Sequence, residues 1–156
     1  MNVERPHSVS VAGVIVDADG RALLIKRRDN GRWEPPGGVL EPGETIPEAL
    51  EREVREETGL TIAHPAHLTG VYKNMSRLVV ALVFRCEANG GRLTTGDETQ
   101  ALHWATSDEV TALTDEAYAV RVLDALNAPT PPAVRAHDGV RLLQPGSTAR
   151  GGFDGR

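Results

Sequence analysis

The most constraining feature of the sequence is an acidic helix that follows a loop rich in proline and glycine. The segment over residues 44–60, ETIPEALEREVREETGL, has apolar residues at helical spacing. Thr45 and Glu48 have the spacing of a capping box, and Gly59 is the residue type that most often ends a helix. The sequence therefore predicts a helix from Thr45 to about Thr58, which must bury its apolar face against a larger core.

Three carboxylates share one stripe of this predicted helix. Successive helical residues turn by about 100°, so Glu53, Glu56 and Glu57 project on the same side. Glu53 and Glu57 form a like-charge pair one turn apart, near the helix C-terminus, where negative charge is unfavourable. Such a stripe requires a counter-charge, and ligands that offer only oxygen favour Mg²⁺ or Mn²⁺. The alternative interpretation is a solvated acidic face without a metal.

The loop before the helix supplies glycines where a ligand could approach the backbone. Residues 29–43 contain Pro35-Pro36 and Gly37-Gly38, and this punctuation argues against regular secondary structure. Glycine lets the backbone come close to a ligand and can present a carbonyl oxygen to a metal. The loop and the acidic helix are therefore predicted to form one site.

The rest of the sequence predicts a mixed α/β domain. Apolar segments at 9–16 and 22–25, separated by turn residues, predict a β-hairpin. Further strands are predicted at 68–72, 78–86 and 102–104, with a turn at 89–91. Thr106 has the capping-box spacing before a short helix, and Thr114 is predicted to cap a last helix. The apolar stripe of that last helix contains Ala119, Val122, Leu123 and Leu126.

The end of the chain has a different composition from the rest. From residue 128 onward proline and glycine become frequent, which is typical of a tail. We therefore divide the chain into a domain over residues 1–127 and a tail over residues 128–156. Residues 140–143 could still form a short strand or an anchor.

Length and composition restrict the classes of function. A chain of 156 residues suits one domain, and a net charge of −5 argues against a general nucleic-acid binder. A single cysteine excludes an intrachain disulfide. No apolar run approaches the roughly 20 residues of a membrane span, and the N-terminus lacks the apolar segment of a secretory signal. We expect a cytoplasmic protein without nucleic-acid or membrane partners.

The loop and the helix together resemble the Nudix box. Gly38 is followed after five residues by Glu44 and, after seven more, by Arg52-Glu53-Val54. Glu56-Glu57 and Gly59-Leu60 complete the pattern, so every defining position is filled. The match extends over many positions and is therefore specific.

The resemblance covers roughly residues 9–126 and also includes the lead-in segment Trp33–Gly38. It implies an α/β/α sandwich with a mixed central sheet. It also implies Mg²⁺-dependent hydrolysis of a nucleoside diphosphate linked to another group, with Mn²⁺ as a substitute for Mg²⁺.

The resemblance implies a role for each residue of the box. Arg52 would orient the carboxylates through charge-assisted hydrogen bonds, and Glu44 would be its partner. The metal would neutralise the pyrophosphate oxygens and lower the pKa of a bound water. The implied metal ligands are the carbonyl of Gly37 and the side chains of Glu53, Glu56 and Glu57.

Two carboxylates are candidates for the general base that takes the proton of this water. Glu53 lies in the box, and Glu98 lies in the loop over residues 94–100, where many family members carry a catalytic or metal-binding glutamate. The sequence does not decide between them. With Arg52 and Glu57 they make up the predicted catalytic set.

Four residues are predicted to contact the substrate. Arg27, at the end of the second strand, would contact phosphates, although a solvated strand end is the alternative. Trp33 could stack on a base or pack beneath the loop. Asp115, at the start of the last helix, could accept hydrogen bonds from base N–H groups. Gly38 would let the backbone approach the substrate closely.

Three functions remain open at the level of the sequence. The length and layout are most similar to MutT-type pyrophosphohydrolases, which convert a (deoxy)nucleoside triphosphate to a monophosphate and pyrophosphate. The second is hydrolysis of ADP-ribose or a nucleotide sugar. The third is a domain that senses nucleotides without turnover, although such domains usually lose box carboxylates. The expected partner is a small nucleotide, and a homodimer is compatible with the sequence.

Overall fold

The central strands of the molecule are apolar on both faces. The computed structural model describes residues 5–128 and 130–143, and its first strand ends in five consecutive buried residues. The second strand begins with four. Such burial is typical of strands covered on both sides, and helices do cover both sides here. The predicted α/β/α sandwich with a mixed sheet is confirmed.

Eleven strands and three helices alternate along the described residues, as the following list gives them in chain order. They are β1 (Ser8–Ile15), β2 (Ala22–Arg27), β3 (Trp33–Glu34), β4 (Gly37–Val39), α1 (Ile46–Thr58), β5 (Leu60–Ile62), β6 (His67–Asn74), β7 (Val79–Cys86), β8 (Ala88–Gly91), β9 (Thr99–Ala105), α2 (Ser107–Leu113), α3 (Glu116–Asn127), β10 (Ala133–His137) and β11 (Leu142–Leu143).

The strands form one large sheet and two small ones. The large sheet has the spatial order β11-β10-β6-β7-β1-β4, with β1 parallel to β7 and antiparallel to β4. The second sheet has the order β3-β2-β9, and β5 pairs with β8. The parallel contact between β1 and β7 places β1 in the centre, beside the short strand that carries Gly37 and Gly38.

The predicted hairpin between the first two strands is wrong. β1 and β2 follow one another in the chain but lie in different sheets, and an isolated bridge from Val16 to Ala22 joins them. Val11 packs towards α1, whereas the next residue, Ala12, packs towards α3. Because both faces of each strand are apolar, the local pattern predicts two strands without fixing their partners.

Helix α1 covers one face of the large sheet with the boundaries that its caps predict. Leu50 and Val54 are fully buried against the sheet. The Glu48 N–H donates to Thr45 Oγ1 at 3.3 Å, and the Thr45 N–H donates to Glu48 Oε1 at 3.0 Å. Gly59 ends the helix in the left-handed conformation, with φ of 79°.

Helices α2 and α3 cover the opposite face. The predicted capping box of α2 at Thr106 is present, but α3 begins after Asp115 and not after Thr114. The Thr114 hydroxyl donates to the carbonyl of Val110 at 2.7 Å, so it closes α2 and is not free to cap α3. Among the helices of the described residues, none combines the length and the apolar character needed to cross a membrane.

Two segments predicted to be irregular contain short strands. Gly37–Val39 pairs with β1, and Ala88–Gly91 pairs with β5. Glycine makes both pairings possible. A Cβ on Gly37 would overlap the carbonyl oxygen of Val11, and one on Gly91 would overlap that of Gly59. Glycine therefore marks close backbone approach here rather than a turn.

The large sheet continues into the segment that composition predicts as a tail. β10 runs parallel to β6, and Arg135 on β10 makes two hydrogen bonds of 2.8 Å to Asp124 on α3. The short strand predicted within 140–143 is β11. The tail prediction is thus corrected for 133–143, because buried contacts outweigh the local composition. Residues 144–156 of the predicted tail lie outside the described residues.

Candidate active site

Helix α1 brings two of its carboxylates against strand β4. Glu57 is only 8% exposed, and its Oε1 accepts a 3.2 Å hydrogen bond from the Gly37 N–H. The Glu53 side chain is 13% exposed and lies beside Gly38, where an added Cβ would come within 2.5 Å of Glu53 Oε1. The two glycines therefore make room for the two carboxylates, as the sequence predicts.

The carboxylates of Glu53 and Glu57 are electrostatically coupled. Burial raises the pKa of Glu57, and the hydrogen bond and negative charge of Glu53 raise it further, while the Gly37 N–H acts in the opposite direction. Two like charges in a poorly solvated place repel one another unless a cation lies between them. The pair is therefore a place where a cation would relieve an unfavourable interaction.

Arg52 ties three carboxylates together. It donates from Nε and Nη2 to Glu44 at 2.6 and 2.9 Å, and from Nη1 to Glu53 at 2.8 Å. Nη1 also lies 3.4 Å from Glu56. The hydrogen bond from Arg52 lowers the pKa of Glu44 to about 2, and these contacts raise the pKa of Arg52. These are the contacts that an orienting residue and its partner need.

The donor set suits a hard divalent cation, although its members are not gathered around one point. Within residues 5–128 and 130–143, no three His, Cys, Asp or Glu side chains converge as they would around a bound ion. Glu56 is 58% exposed and is drawn towards Arg52. Glu53 and Glu57 do meet, beside the backbone of Gly37. Two buried carboxylates fit an ion that completes its shell with water and substrate oxygens, as Mg²⁺ commonly does.

Glu57 borders a cavity of about 330 Å³ that also contains Glu98. Arg28 donates to the carbonyl oxygens of Asp97 at 3.0 Å and Thr99 at 3.2 Å, which holds the loop that carries Glu98. The structure thus brings both candidate bases to one region of the surface. Other residues lining this cavity are Arg27, Glu34 and Gly37.

Arg27 lies where this cavity meets two others. One has a volume of about 300 Å³ and lies between β1, β4 and α3, and the other has a volume of about 710 Å³ and lies between β3 and α3. The Arg27 guanidinium pairs with Asp29 at 2.7 Å and with Glu34 at 3.2 Å. A phosphate that reaches Arg27 would therefore share it with two carboxylates.

The other predicted substrate residues line the largest of these cavities. Trp33 packs partly against the core and also borders the cavity, so both interpretations of this side chain hold. Asp115 borders the same cavity and pairs with Arg32 at 3.5 Å. Gly38 lines the cavity of about 300 Å³. The predicted metal and substrate residues thus lie along one continuous cleft.

Two residues of the cleft were not predicted from the sequence. Glu34 lines all three cavities, and Arg121 lines the cavity of about 300 Å³. Arg121 could have been found, since it lies one turn from Ala117 and one turn from Ala125 on the buried side of α3. A cation within an apolar stripe is a departure that invites a functional explanation.

Comparison with known proteins gives consistent matches. The model of the NUDIX domain family matches residues 6–126. A "MutT-like protein" of Streptomyces ambofaciens is 54% identical over 140 residues, which is 90% of each chain. An ADP-ribose pyrophosphatase of Methanocaldococcus jannaschii is 43% identical over 98 residues, which is 58% of this chain and 57% of the relative. The crystal structure of a MutT NUDIX hydrolase from Burkholderia pseudomallei has a TM-score of 0.66 and 29% identity, covering 80% of this chain and 98% of that one.

Proposed function

Because this chain belongs to the Nudix hydrolase family, we propose that it hydrolyses a nucleoside triphosphate to a nucleoside monophosphate and pyrophosphate. The observation that carries the proposal is the buried pair of Glu53 and Glu57 at the end of a cleft that also contains Glu98 and Arg27. The substrate class covers both ribose and deoxyribose nucleotides. Such nucleotides are made in the cytoplasm, where we place the activity.

The proposed cofactor is Mg²⁺, with Mn²⁺ as a substitute that accepts the same oxygen ligands. Glu53 and Glu57 would hold it with the carbonyl of Gly37, and Glu56 would join them from its place beside Arg52. When bound, the cation neutralises phosphate oxygens and lowers the pKa of a coordinated water. Arg52 keeps Glu53 in place through its anchorage to Glu44.

Glu98 is the proposed general base. Glu53 already accepts a hydrogen bond from Arg52 at 2.8 Å and is coupled to Glu57, whereas Glu98 is exposed at the cavity surface. Glu98 would take the proton of the attacking water, whose oxygen forms a bond to phosphorus while the bond to the bridging oxygen breaks. The leaving phosphate oxygens carry negative charge, which the nearby Arg27 would stabilise.

A second candidate substrate is ADP-ribose. The relative from Methanocaldococcus jannaschii carries that activity in its name, although the match spans 57% of its length. The MutT-like relative matches 90% of its own length at higher identity and supports the triphosphate. Both substrates share the phosphoanhydride chemistry and would place their phosphates at the same carboxylates.

Product release from a panel of nucleotides tests the proposal. The panel contains the common nucleoside and deoxynucleoside triphosphates, ADP-ribose and a nucleotide sugar, each with and without Mg²⁺. We expect metal-dependent release of pyrophosphate and monophosphate from triphosphates. Faster cleavage of ADP-ribose would favour the second candidate. Metal-dependent binding without cleavage of any compound would contradict both and indicate a sensing domain.

A further inference from the structure

Arg121 is a buried cation with more hydrogen-bond donors than partners. The residue is only 7% exposed, and its Nε has no acceptor among residues 5–128 and 130–143. Its guanidinium carbon lies 4.6 Å from the centre of the Tyr118 ring and 5.4 Å from that of Tyr72. In the same residues no carboxylate lies within ion-pair distance of it. A buried guanidinium with unused donors is unfavourable unless a ligand supplies acceptors.

His137 holds Arg121 without satisfying it. Arg121 Nη2 lies 3.0 Å from His137 Nε2, and the Gly139 N–H donates to His137 Nδ1 at 3.0 Å. A neutral imidazole has one acceptor nitrogen, yet both ring nitrogens face donors here. Whichever tautomer is present, one of these donors lacks an acceptor. The contact therefore positions the guanidinium and leaves it able to bind another acceptor.

The cavity beside Arg121 adjoins the carboxylate end of the cleft. It measures about 300 Å³ and is bordered by Gly37 and Gly38 on one side and by Tyr118 and Arg121 of α3 on the other. If the phosphates lie at Glu53 and Glu57, the part of the substrate that reaches α3 is the nucleoside. An aromatic ring and a guanidinium are the groups that bind the face and the edge of a base.

We propose that Arg121 is a specificity-determining residue that binds the acceptor edge of a 6-oxopurine, with the Tyr118 ring packed against the base. This inference rests on the proposed function. Arginine donates to both O6 and N7 of a guanine-type base, whereas a 6-amino group presents a donor that would oppose it. His137 lies beyond residues 6–126, so a segment outside the family match contributes to base choice.

The test compares two bases that differ at position 6. Wild-type protein and Arg121→Gln are assayed with dGTP and with the triphosphate of 2,6-diaminopurine deoxyriboside, and the matching monophosphates are titrated by calorimetry. We expect the wild type to prefer the 6-oxo base by about 5- to 150-fold in kcat/KM, which is the range for one bidentate contact. Arg121→Gln should reduce that preference to less than about twofold.

Two control variants separate base reading from other effects. Tyr118→Leu removes the ring and should weaken both bases equally, leaving the ratio unchanged. Arg77→Gln removes an exposed charge from the same cavity and should also leave the ratio unchanged. Arg121→Lys keeps the charge but loses the planar fork, so it should lose most of the preference. It carries the test if Arg121→Gln does not fold, as judged by thermal denaturation.

Equal turnover of the two bases by the wild type, or an unchanged ratio in a folded Arg121 variant, would overturn this inference alone. Absence of both binding and turnover of every nucleotide would overturn the proposed function together with it. Loss of the 6-oxo preference in Arg121 variants, with the ratio intact in the two controls, would support the inference.

Discussion

At the scale of single residues, Arg52 keeps the acidic face of α1 in order. Glu53, Glu56 and Glu57 lie in the last turns of the helix, where the helix dipole does not favour negative charge. Arg52 offsets part of this charge through contacts with Glu44, Glu53 and Glu56, but Glu57 is coupled mainly to Glu53. The arrangement therefore leaves a demand for positive charge on the side of Glu57 that faces the cleft.

Glu98→Gln tests the assignment of the general base. We expect kcat to fall by about 10²- to 10⁴-fold, because a positioned base contributes that much, while the affinity for Mn²⁺ stays unchanged. Glu53→Gln should weaken Mn²⁺ binding as well. The measurements are steady-state kinetics and a Mn²⁺ titration followed by electron paramagnetic resonance. A Glu98→Gln enzyme with wild-type kcat would transfer the role to Glu53.

Arg52→Lys tests whether the orienting contacts matter. An ammonium group cannot reproduce the fork that reaches Glu44 and Glu53 together, so the carboxylates should be less well placed. We expect metal affinity to fall by about 10- to 100-fold, as for other groups that orient ligands. Arg55→Lys, an exposed change on the same helix, is the matched control and should bind Mn²⁺ normally. Equal affinities in both variants would refute the role of Arg52.

At the scale of elements, α1 is the part of the fold that sequence patterns predict best. Its capping box, its left-handed glycine and its apolar face all depend on residues close together in the chain. Strand pairing depends on distant residues, which is why the predicted hairpin of β1 and β2 and the turn at 89–91 were wrong. Patterns of burial predict that a strand exists but not which strand lies beside it.

Removing the caps of two helices compares an element that carries the site with one that does not. Thr45→Ala and Thr106→Ala each delete a hydroxyl that accepts a 3.3 Å hydrogen bond from the third helical residue. Each should cost about 1 kcal/mol of unfolding free energy. Only Thr45→Ala should also lower kcat/KM, because α1 carries the carboxylates. Chemical denaturation and kinetics measure the two effects, and equal kcat/KM in both variants would contradict this expectation.

At the scale of the whole molecule, the cleft joins residues that are distant in the chain. The box residues could be predicted because they are contiguous, and Glu98 could be predicted through the family resemblance. Glu34 and Arg121 became visible only when β3 and α3 were placed around the same cavities. The strand β10 was missed because proline and glycine around it mask an apolar pattern too short to stand out.

The buried His137 links global stability to pH. Burial and the charge of Arg121 lower its pKa to about 4, while Asp138 acts in the opposite direction. An unfolded chain has a histidine pKa near 6.5, so folding favours the neutral ring. The stabilisation is present above about pH 6.5 and is lost as the pH falls towards 4. Urea denaturation at pH 7 and pH 4.5 should show a smaller loss in His137→Gln than in the wild type, and equal losses would contradict this.

The measurement that tests the proposed metal-dependent hydrolysis most directly is kcat/KM of Glu57→Gln with Mg²⁺ and the best triphosphate. We expect a fall of at least about 100-fold, since metal stabilisation of the transition state amounts to several kcal/mol. The melting temperature should not fall, because the neutral amide ends the repulsion from Glu53. Glu51→Gln, on the outer face of α1, should keep wild-type kinetics. A Glu57→Gln enzyme within about threefold of wild type would contradict the proposed site.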